Sequence, residues 1–443
     1  MQIETLLRGL RDCPCGRVHT CGVHAVGIGE NVTARAGRIL AENGFPKRIL
    51  LTTQTCTLHA AAGLPEALAR SAFSVRVQLF DDLTAAEPAS VRRMQALCRE
   101  ADGILAVGSG TLCDVCRRAA YLEDKAFAVF ATAPSMDGFA SDTAPVLQHG
   151  FKISLPARQP SVILADTDVL TAAPAHLKSA GFGDMLAKYI AVADWRIAHC
   201  LTGEYYCENV ASLVRAAVAR VAAMADHIPD NDAQTAQNLM ESLVMTGLAM
   251  QFCGSSRAAG GAEHVVSHFW ETMQLMRGER TDCHGRKVGA ATGMIARLYH
   301  TLLRDAQPER FRTDATDWAR VFAVYGTPFH EDIRRLNFPP VTQDISPAWL
   351  RARWEDVCRI VREEIPQPQT IDDLLRRACA ARTLTDVGIG ETLGLQGLEY
   401  HPYMRRRVLL SRLIPMLDVA PDYRAAALMQ EDDALFSPYA DPR

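Results

Sequence analysis

Between residues 23 and 165, short apolar segments alternate with amphipathic segments, and this alternation constrains the fold more than any other feature of the chain. The apolar segments have strand length, and the segments between them have helical periodicity. Strands that alternate with helices imply right-handed crossovers and a mostly parallel sheet. The predicted strands cover residues 23–28, 48–52, 74–80, 103–107, 126–130 and 161–165.

Helices are predicted between these strands at 31–43, 58–69, 90–100 and 113–121. From about residue 174 the pattern changes to long helical segments with few strand signals. We therefore predict an α/β domain at 1–170 and an all-α domain at 171–443. The helices predicted in the second domain are 178–199, 207–227, 233–251, 261–275, 284–303, 349–363, 371–381 and 404–414.

Charge and hydropathy exclude several classes of protein. The 443 residues carry a formal net charge of −4, which argues against a protein that grips nucleic acid or an anionic membrane electrostatically. No apolar run approaches the ~18 residues of a membrane span. The first residues lack the basic start and apolar stretch of a signal peptide, so a cytoplasmic protein is expected.

Four residues of metal-ligating types cluster near the N-terminus, at Cys13, Cys15, His19 and Cys21. One interpretation is a zinc knuckle. However, a Cys-x-Cys spacing is not the usual pattern of structural zinc, and no second ligand pair of that kind follows. The sequence therefore favours a turn with incidental thiols.

A glycine-containing loop directly follows the fourth predicted strand. Gly108 and Gly110 let the backbone approach an anion, and the helix that follows offers free N–H groups and a positive dipole end. The loop is neither the usual G-x-G-x-x-G after a first strand nor a Walker loop. It is suited to a dinucleotide pyrophosphate, although a tight strand–helix turn is the alternative.

A second polar loop, residues 132–141, follows the fifth predicted strand and so also lies at a carboxyl end of the sheet. Ligands of open α/β sheets bind at that edge. Its three hydroxyls and one carboxylate suit a ribose, a nicotinamide or a substrate hydroxyl. A polar turn is the alternative.

The helical half carries candidate metal ligands on three segments. Asp184 lies at the start of a predicted helix, His264 and His268 lie one turn apart, and His284 opens another helix. Two histidines and one carboxylate make a three-ligand site with an open position, which is typical of catalytic metal. The alternatives are a helix-terminal carboxylate, histidines in polar core contacts, or a site that uses both His264 and His268.

Together these motifs resemble a known family. The segments Gly-Ser-Gly-Thr at 108–111, Thr-Ala-Pro-Ser-Met-Asp-Gly at 132–138, 179–188, 254–264 and His-Gly-Arg-Lys-Val-Gly at 284–289 occur in family order. They resemble the bacterial type of sn-glycerol-1-phosphate dehydrogenase, which belongs with glycerol dehydrogenase, the iron-containing alcohol dehydrogenases and dehydroquinate synthase. The resemblance covers roughly residues 13–300.

The resemblance implies a dehydroquinate synthase-like fold. This consists of an α/β Rossmann-like N-terminal domain with a mostly parallel sheet, an all-α C-terminal domain and an active-site cleft between them. It also implies one divalent ion, zinc or nickel, on Asp184, His264 and His284. The residues it assigns to NAD(H) or NADP(H) are Gly108, Ser109, Gly110, Thr111, Leu112, Cys113, Asp114, Thr132, Ala133, Pro134, Ser135 and Ser141.

The implied reaction is the reversible reduction of dihydroxyacetone phosphate to sn-glycerol 1-phosphate, a step of phospholipid biosynthesis. Asp184 and His268 would be the catalytic residues, and Asp137 would contact substrate beside them. Lys188 and Arg257 are our candidates for the substrate phosphate, with a surface salt bridge as the alternative for each. Residues 51–57 lack the carboxylate that often binds ribose hydroxyls, which permits NADP(H) as well as NAD(H).

Three further expectations complete the prediction. The resemblance implies a homodimer. The competing function is a glycerol dehydrogenase or another polyol or alcohol dehydrogenase of the same superfamily, acting on uncharged substrates. From a different class, the chain could be a catalytically inactive, nucleotide-binding regulator.

Overall fold

The computed structural model describes residues 3–83, 85–108, 110–148, 150–230 and 232–428. Ser109, one of the predicted cofactor-binding residues, lies outside them. The chain forms two compact units. The first contains the residues up to Gly181 together with Glu208–Ser256, and the second contains Phe182–Cys207 and the chain from Arg257 onward. The domain boundary placed at residue 170 stays a prediction.

A six-stranded, fully parallel sheet organises the first unit, in the order β1-β8-β5-β4-β2-β3. All six predicted strands belong to it, so the predicted α/β fold with a mostly parallel sheet is confirmed. A separate antiparallel hairpin, β6–β7, was not predicted. The strands are β1 (Ala25–Gly29), β2 (Arg48–Thr53), β3 (Ser74–Leu79), β4 (Gly103–Val107), β5 (Ala126–Ala131), β6 (Thr143–Gln148), β7 (Phe151–Pro156) and β8 (Val162–Asp166).

The central strands explain why the sheet forms. Every residue of β4 and β8 is buried, as expected for parallel strands covered by helices on both faces. Their side chains pack with Val32, Leu40 and Leu68 in one apolar core. Because the strands are parallel, β2, β4 and β5 end at the same edge of the sheet, and the two predicted ligand loops begin there.

The helices up to residue 172 lie between the strands or flank them. The predicted helix at 58–69 is two helices in the structure, because Gly63 adopts a left-handed conformation with φ 84° and Pro65 follows it. The helices of this part of the chain are α1 (Ile3–Gly9), α2 (Val32–Glu42), α3 (Thr55–Ala60), α4 (Leu64–Arg70), α5 (Pro88–Cys98), α6 (Gly110–Leu122) and α7 (Thr167–Ala172).

After Asp166 the described residues contain helices and no strand, which confirms the all-α prediction for this part of the chain. They are α8 (Ala175–Leu186), α9 (Lys188–Thr202), α10 (Glu208–Ala222), α11 (Ala233–Cys253), α12 (Ala262–Met276), α13 (His284–Asp305), α14 (Trp318–Tyr325), α15 (His330–Asn337), α16 (Pro347–Glu364), α17 (Pro368–Arg377), α18 (Glu391–Tyr400), α19 (Ile414–Leu417) and α20 (Tyr423–Leu428). The predicted helix at 178–199 is divided into α8 and α9 at Ala187.

The helix predicted at 404–414 is wrong. This segment is extended after Met404 and then forms a short 3-10 turn, Leu410–Leu413. The backbone N–H of Leu410 donates to the Asp194 carboxylate at 3.0 Å, which takes the donor that a helical turn would use. Arg412 is fully buried and pairs with Asp314 at 3.0 Å, so tertiary ion pairs set this conformation.

Within the described ranges, none of the helices combines the length and the hydropathy needed to cross a bilayer.

Candidate active site

Two glycines shape the loop between β4 and α6. Gly108 has φ 126°, and a Cβ there would lie 2.7 Å from the Thr57 side chain. A Cβ on Gly110 would lie 2.6 Å from the Met136 sulfur. The loop therefore requires glycine at position 108, whereas a side chain at position 110 would need only a shift of the flexible end of Met136. The N-terminus of α6 is left with the backbone donors that an anion can use.

The remaining residues of this loop differ in what they can offer a ligand. Leu112 and Cys113 are fully buried, and burial raises the pKa of the Cys113 thiol to about 12. Their side chains belong to the core, so only their backbone atoms can serve the predicted cofactor site. Thr111 and Asp114 are half-buried, and Asp114 lies 3.7 Å from the buried Arg117.

The second loop, after β5, packs against Gly181 and Gly247, two glycines of the first unit. A Cβ on Gly181 of α8 would lie 1.9 Å from the Pro134 carbonyl oxygen, and a Cβ on Gly247 of α11 would lie 2.6 Å from the Asp137 carbonyl oxygen. Thr132, Ala133, Pro134 and Asp137 are buried, and Ser135 is half-buried. The Ser141 hydroxyl, assigned to cofactor, donates to Thr143 O and accepts from Thr143 N, each at 3.0 Å.

Asp81 is a carboxylate at the same sheet edge that the sequence analysis missed. It accepts hydrogen bonds from the Thr55 backbone N–H at 2.7 Å and from the Thr55 hydroxyl at 2.6 Å. These hydrogen bonds lower the pKa of Asp81. A search limited to residues 51–57 could not find it, because Asp81 follows β3 and reaches the end of β2 only in the parallel pair.

The three predicted metal ligands converge within the second unit. A carboxylate oxygen of Asp184 and one ring nitrogen each of His264 and His284 all lie within 4.8 Å of one another. The His264 Nε2 is 3.3 Å from Asp184 Oδ1. The ligands come from α8, α12 and the first residue of α13, as the sequence pattern predicted.

Backbone packing brings Asp184 beside His284. A Cβ on Gly183 of α8 would lie 2.8 Å from the Gly285 carbonyl oxygen and 3.0 Å from the Gly289 Cα. The α8 and α13 backbones are therefore in direct contact next to both ligands. Glycine at position 183 is what permits this approach.

A buried ion pair sets the charge of Asp184. Its Oδ1 is 2.8 Å from the Lys188 Nζ, one helical turn away, and both side chains are fully buried. Burial opposes ionisation of the carboxyl, but the Lys188 ammonium, followed by His264, lowers the pKa of Asp184 below its usual range. The ligand oxygen is therefore an anion at neutral pH.

A second buried carboxylate orients His264. The Glu263 Oε1 lies 2.7 Å from the His264 Nδ1 and also accepts from the Gly261 N–H at 2.9 Å. Because an ionised carboxylate can only accept, Nδ1 carries the proton and Nε2 faces Asp184. Burial and Lys188 oppose protonation, but hydrogen bonds to Asp184 and Glu263 outweigh them and raise the pKa of His264 to about 9.

The start of α12, which carries Glu263 and His264, is itself anchored by a buried carboxylate. Asp194 accepts from the Ala262 N–H at 2.9 Å and from the Tyr299 hydroxyl at 2.8 Å. Burial raises the pKa of Asp194 to about 6. This contact caps the helix N-terminus and fixes the first turn, where the predicted ligand lies.

His268 lies beside the metal ligands, as its predicted role requires. Its ring stacks on that of His284, with centroids 5.6 Å apart and an interplanar angle of 26°. The Arg405 guanidinium lies 3.4 Å from the His268 Nδ1. Since guanidinium only donates, this contact makes Nδ1 an acceptor and leaves the proton of the neutral ring on Nε2.

The two residues proposed for the substrate phosphate are both engaged in ion pairs. Arg257 donates to both oxygens of Glu204, at 2.7 and 2.6 Å, and Lys188 is bound to Asp184. Both side chains therefore form salt bridges, which was the alternative to phosphate binding in the sequence analysis. The cations of both pairs are buried, however, and not on the surface. Their role in phosphate binding stays a prediction.

Two arginines that the sequence analysis did not assign border the histidines of α12. Arg405 contacts His268, and Arg407 donates to the Gly260 carbonyl at 3.0 Å, just before α12. Burial, followed by the charges of Arg257 and Arg405, lowers the pKa of Arg407 to about 9. The run of three arginines at 405–407 was the available sequence signal.

The chemistry of the donors fits a divalent transition metal. Two imidazole nitrogens and one carboxylate oxygen, all close together, match the three protein ligands of a catalytic zinc site, and imidazole also suits nickel and iron. The hydrogen bond from His264 to Glu263 is the outer contact that such ligands usually have. The residues present therefore fit the ion that the family resemblance implies.

Comparison with known structures and family models defines the class of the protein. Residues 27–174 match the family model for iron-containing alcohol dehydrogenase. The fold is similar to that of a probable glycerol dehydrogenase from Sinorhizobium meliloti, with TM-score 0.60 and 16% identity, covering 91% of this chain and 97% of that one. It is also similar to an NADH-dependent butanol dehydrogenase from Thermotoga maritima, with TM-score 0.59, 13% identity and coverages of 93% and 98%. The chain thus has the fold of the iron-containing alcohol dehydrogenases.

Sequence relatives narrow this class to one family. The chain is 34% identical to a glycerol-1-phosphate dehydrogenase [NAD(P)+] of Halalkalibacterium halodurans, over 70% of this chain and 71% of the relative. It is 36% identical to the protein of the same name from Geobacillus thermodenitrificans, over 67% and 71%. The chain belongs to the glycerol-1-phosphate dehydrogenase family, as its motifs predicted.

Proposed function

We propose that this enzyme reduces dihydroxyacetone phosphate to sn-glycerol 1-phosphate with NADH or NADPH, in a reversible reaction that depends on one divalent ion. The observation that carries the proposal is the convergence of Asp184, His264 and His284 within 4.8 Å, on a chain of this family. These three side chains would hold the ion, zinc or nickel. When bound, such an ion supplies Lewis-acid polarisation of a substrate carbonyl.

His268 is the proposed proton donor. Its contact with Arg405 leaves the proton of the neutral imidazole on Nε2, and its ring stacks on the ligand His284. A carbonyl reduced by hydride must gain a proton, and a histidine held within reach of the reacting oxygen suits that role. Lys188 acts as a positioning residue, because its ammonium holds Asp184 ionised and in place.

Arg405 and Arg407 are the proposed ligands of the substrate phosphate. Both lie next to the α12 histidines. Burial and the positive charges of Arg257 and Arg405 disfavour the charged form of Arg407, so the three guanidinium groups repel one another. A phosphate dianion would relieve this repulsion and accept charge-assisted hydrogen bonds. This assignment replaces Lys188 and Arg257 as our first choice, since those side chains already hold carboxylates.

The nucleotide is assigned to the loops of the first unit. Gly108 and Gly110 leave the backbone at the start of α6 open to a pyrophosphate, and residues 132–135 and 141 follow the neighbouring strand. The Asp81 carboxylate near the end of β2 favours NADH over NADPH, because a 2′-phosphate would meet its charge.

The test is NADH and NADPH oxidation with dihydroxyacetone phosphate, on chelated full-length enzyme with zinc or nickel added back, followed by stereochemical analysis of the product. We expect metal-restored activity that yields sn-glycerol 1-phosphate. The matched control is Asp184→Asn, which should stay inactive after the same additions. Activity on glycerol or dihydroxyacetone but not on the phosphate would overturn the proposal in favour of a polyol dehydrogenase.

A further inference from the structure

The segment between α1 and β1 brings together three metal-ligating side chains of the first unit. The sulfurs of Cys13 and Cys15 and a ring nitrogen of His19 all lie within 4.8 Å of one another. The shortest separation recorded among them, Cys15 Sγ to His19 Nε2, is 3.3 Å. Neither the proposed reaction nor the proposed nucleotide site uses this cluster.

The orientation of His19 is that of a metal ligand. Its Nδ1 lies 2.6 Å from the carbonyl oxygen of Phe252, in the last turn of α11, and the side chain is buried. A carbonyl can only accept, so Nδ1 is the donor in this hydrogen bond, and Nε2 is the ring nitrogen that faces Cys15. A ligating histidine usually donates its other N–H to a carbonyl or carboxylate in this way.

A second helix of the unit fixes Cys13. The Asn209 side-chain amide, in the first turn of α10, donates to the Cys13 sulfur at 3.3 Å. This hydrogen bond fixes the position of the Cys13 sulfur.

We propose that Cys13, Cys15 and His19 bind a structural zinc ion, separate from the proposed catalytic ion. Zinc bond lengths of about 2.3 Å to sulfur and 2.0 Å to nitrogen put tetrahedral ligand atoms about 3.5–3.8 Å apart. The observed separations need only small side-chain adjustments to meet this geometry. The Cys-x-Cys spacing argued against zinc in the sequence. It is compatible with a zinc site in the structure, because α10 and α11 hold Cys13 and His19 in position through hydrogen bonds.

Cys21 is not part of the proposed site. Its sulfur accepts from the Val23 N–H at 3.4 Å and from the Gln159 amide at 3.8 Å, and burial raises the pKa of its thiol. Cys56 is an exposed cysteine of the same unit. These two residues give matched control positions for a cysteine-by-cysteine test.

The experiment uses cobalt(II) as the probe, because a thiolate ligand gives a charge-transfer band in the near ultraviolet and a carboxylate–histidine site does not. Full-length Asp184→Asn/His284→Ala enzyme, which lacks two proposed catalytic ligands, is chelated under reducing conditions and titrated with cobalt(II). We expect one equivalent to bind with a thiolate band. Cys13→Ser and Cys15→Ser should each lose most of the band, and Cys21→Ser and Cys56→Ser should keep it.

The absence of a thiolate band, or a full band in both Cys13→Ser and Cys15→Ser, would overturn the proposal. Should the serine variants fail to fold, X-ray absorption at the zinc edge of the Asp184→Asn/His284→Ala enzyme answers the same question, since sulfur neighbours support the site and an all-nitrogen-and-oxygen shell contradicts it. Neither readout requires turnover, so the result is independent of the proposed reaction.

Discussion

The fully buried Glu263 carboxylate lies 2.7 Å from the His264 Nδ1, so this nitrogen is a hydrogen-bond donor whether the imidazole is neutral or charged. Such outer contacts raise the basicity of a ligand and hold its ring in orientation. The relationship was not visible in the sequence, where Glu263 is only the residue that directly precedes the candidate ligand His264. It makes Glu263 the first target for mutagenesis outside the ligands.

Replacing Glu263 by glutamine should weaken metal binding by about 10- to 100-fold, because the neutral amide no longer supplies the charge that favours His264 as a ligand. Zinc affinity measured by competition with a chromophoric chelator checks this. Glu279→Gln is the control, since Glu279 is exposed and lies beyond the end of α12. Equal affinities in the two variants would contradict the role given to Glu263.

Lys188→Met should destabilise the metal-free enzyme by about 3 kcal/mol, since it removes the ammonium from a buried ion pair. A saturating divalent ion should restore most of that stability, because its charge compensates Asp184 in place of the ammonium. Urea unfolding with and without zinc measures both effects.

The control for that experiment is Arg38→Met. Arg38 and Glu42 form an ion pair with the same four-residue spacing on an exposed helix face, and such pairs contribute little. We expect no appreciable change in unfolding, with or without zinc. A zinc-independent loss of stability in Lys188→Met would show that Lys188 serves packing rather than the charge of Asp184.

Arg407→Gln should raise the KM for dihydroxyacetone phosphate by about 10- to 100-fold, the effect of losing a charge-assisted hydrogen bond of about 1.5–3 kcal/mol. Turnover of uncharged dihydroxyacetone should change little, because it has no phosphate to lose. Steady-state kinetics with both substrates separates the two effects. Arg406→Gln is the control, because Arg406 is exposed and donates to backbone carbonyls at Leu336 and Pro339.

His401 predicts how stability depends on pH. It is fully buried, its Nδ1 donates to the Gly397 carbonyl at 2.8 Å, and burial lowers its pKa from 6.5 to about 4. The unfolded chain therefore binds a proton between about pH 6.5 and 4 that the folded protein does not, so the free energy of unfolding falls as the pH falls through this window. Full loss corresponds to about 3 kcal/mol.

Urea unfolding of the wild type and of His401→Gln at pH 7.5, 6, 5 and 4 checks this prediction. The stability difference between the two proteins should shrink as the pH falls. The same series with His227→Gln should give a constant small difference, because His227 is largely exposed. A difference that does not change with pH would mean that His401 titrates equally in both states.

The sheet could be predicted from the sequence because its strands are buried on both faces and read as short apolar runs. The β6–β7 hairpin could not, since Pro145 interrupts one of its strands and Lys152 lies in the other. The helix predicted at 404–414 failed for a different reason. Its apolar spacing was helical, but Asp194, more than 200 residues earlier, binds the Leu410 N–H.

The site shows the same limit. The types and spacing of Asp184, His264 and His284 made a shared metal site one of several interpretations, and the family resemblance assigned these three residues to one ion. The structure brings them together. Contacts between residues that are far apart in the sequence could not be predicted from residue types and spacing. Glu204 binds Arg257 from 53 residues away, and Arg405 reaches His268 across 137 residues.

The contact between Gly183 and Gly289 has a consequence for how this enzyme can be altered. Asp184 and His284 stay close together because residue 183 is a glycine. Any larger residue at position 183 would push α8 away from α13. In a saturation mutagenesis library, position 183 should therefore tolerate as few substitutions as the metal-ligand positions do, although glycine has no side-chain atom that could bind an ion. Transfer of this metal site to another scaffold therefore has to include the close backbone contact between α8 and α13 as well as the three ligands.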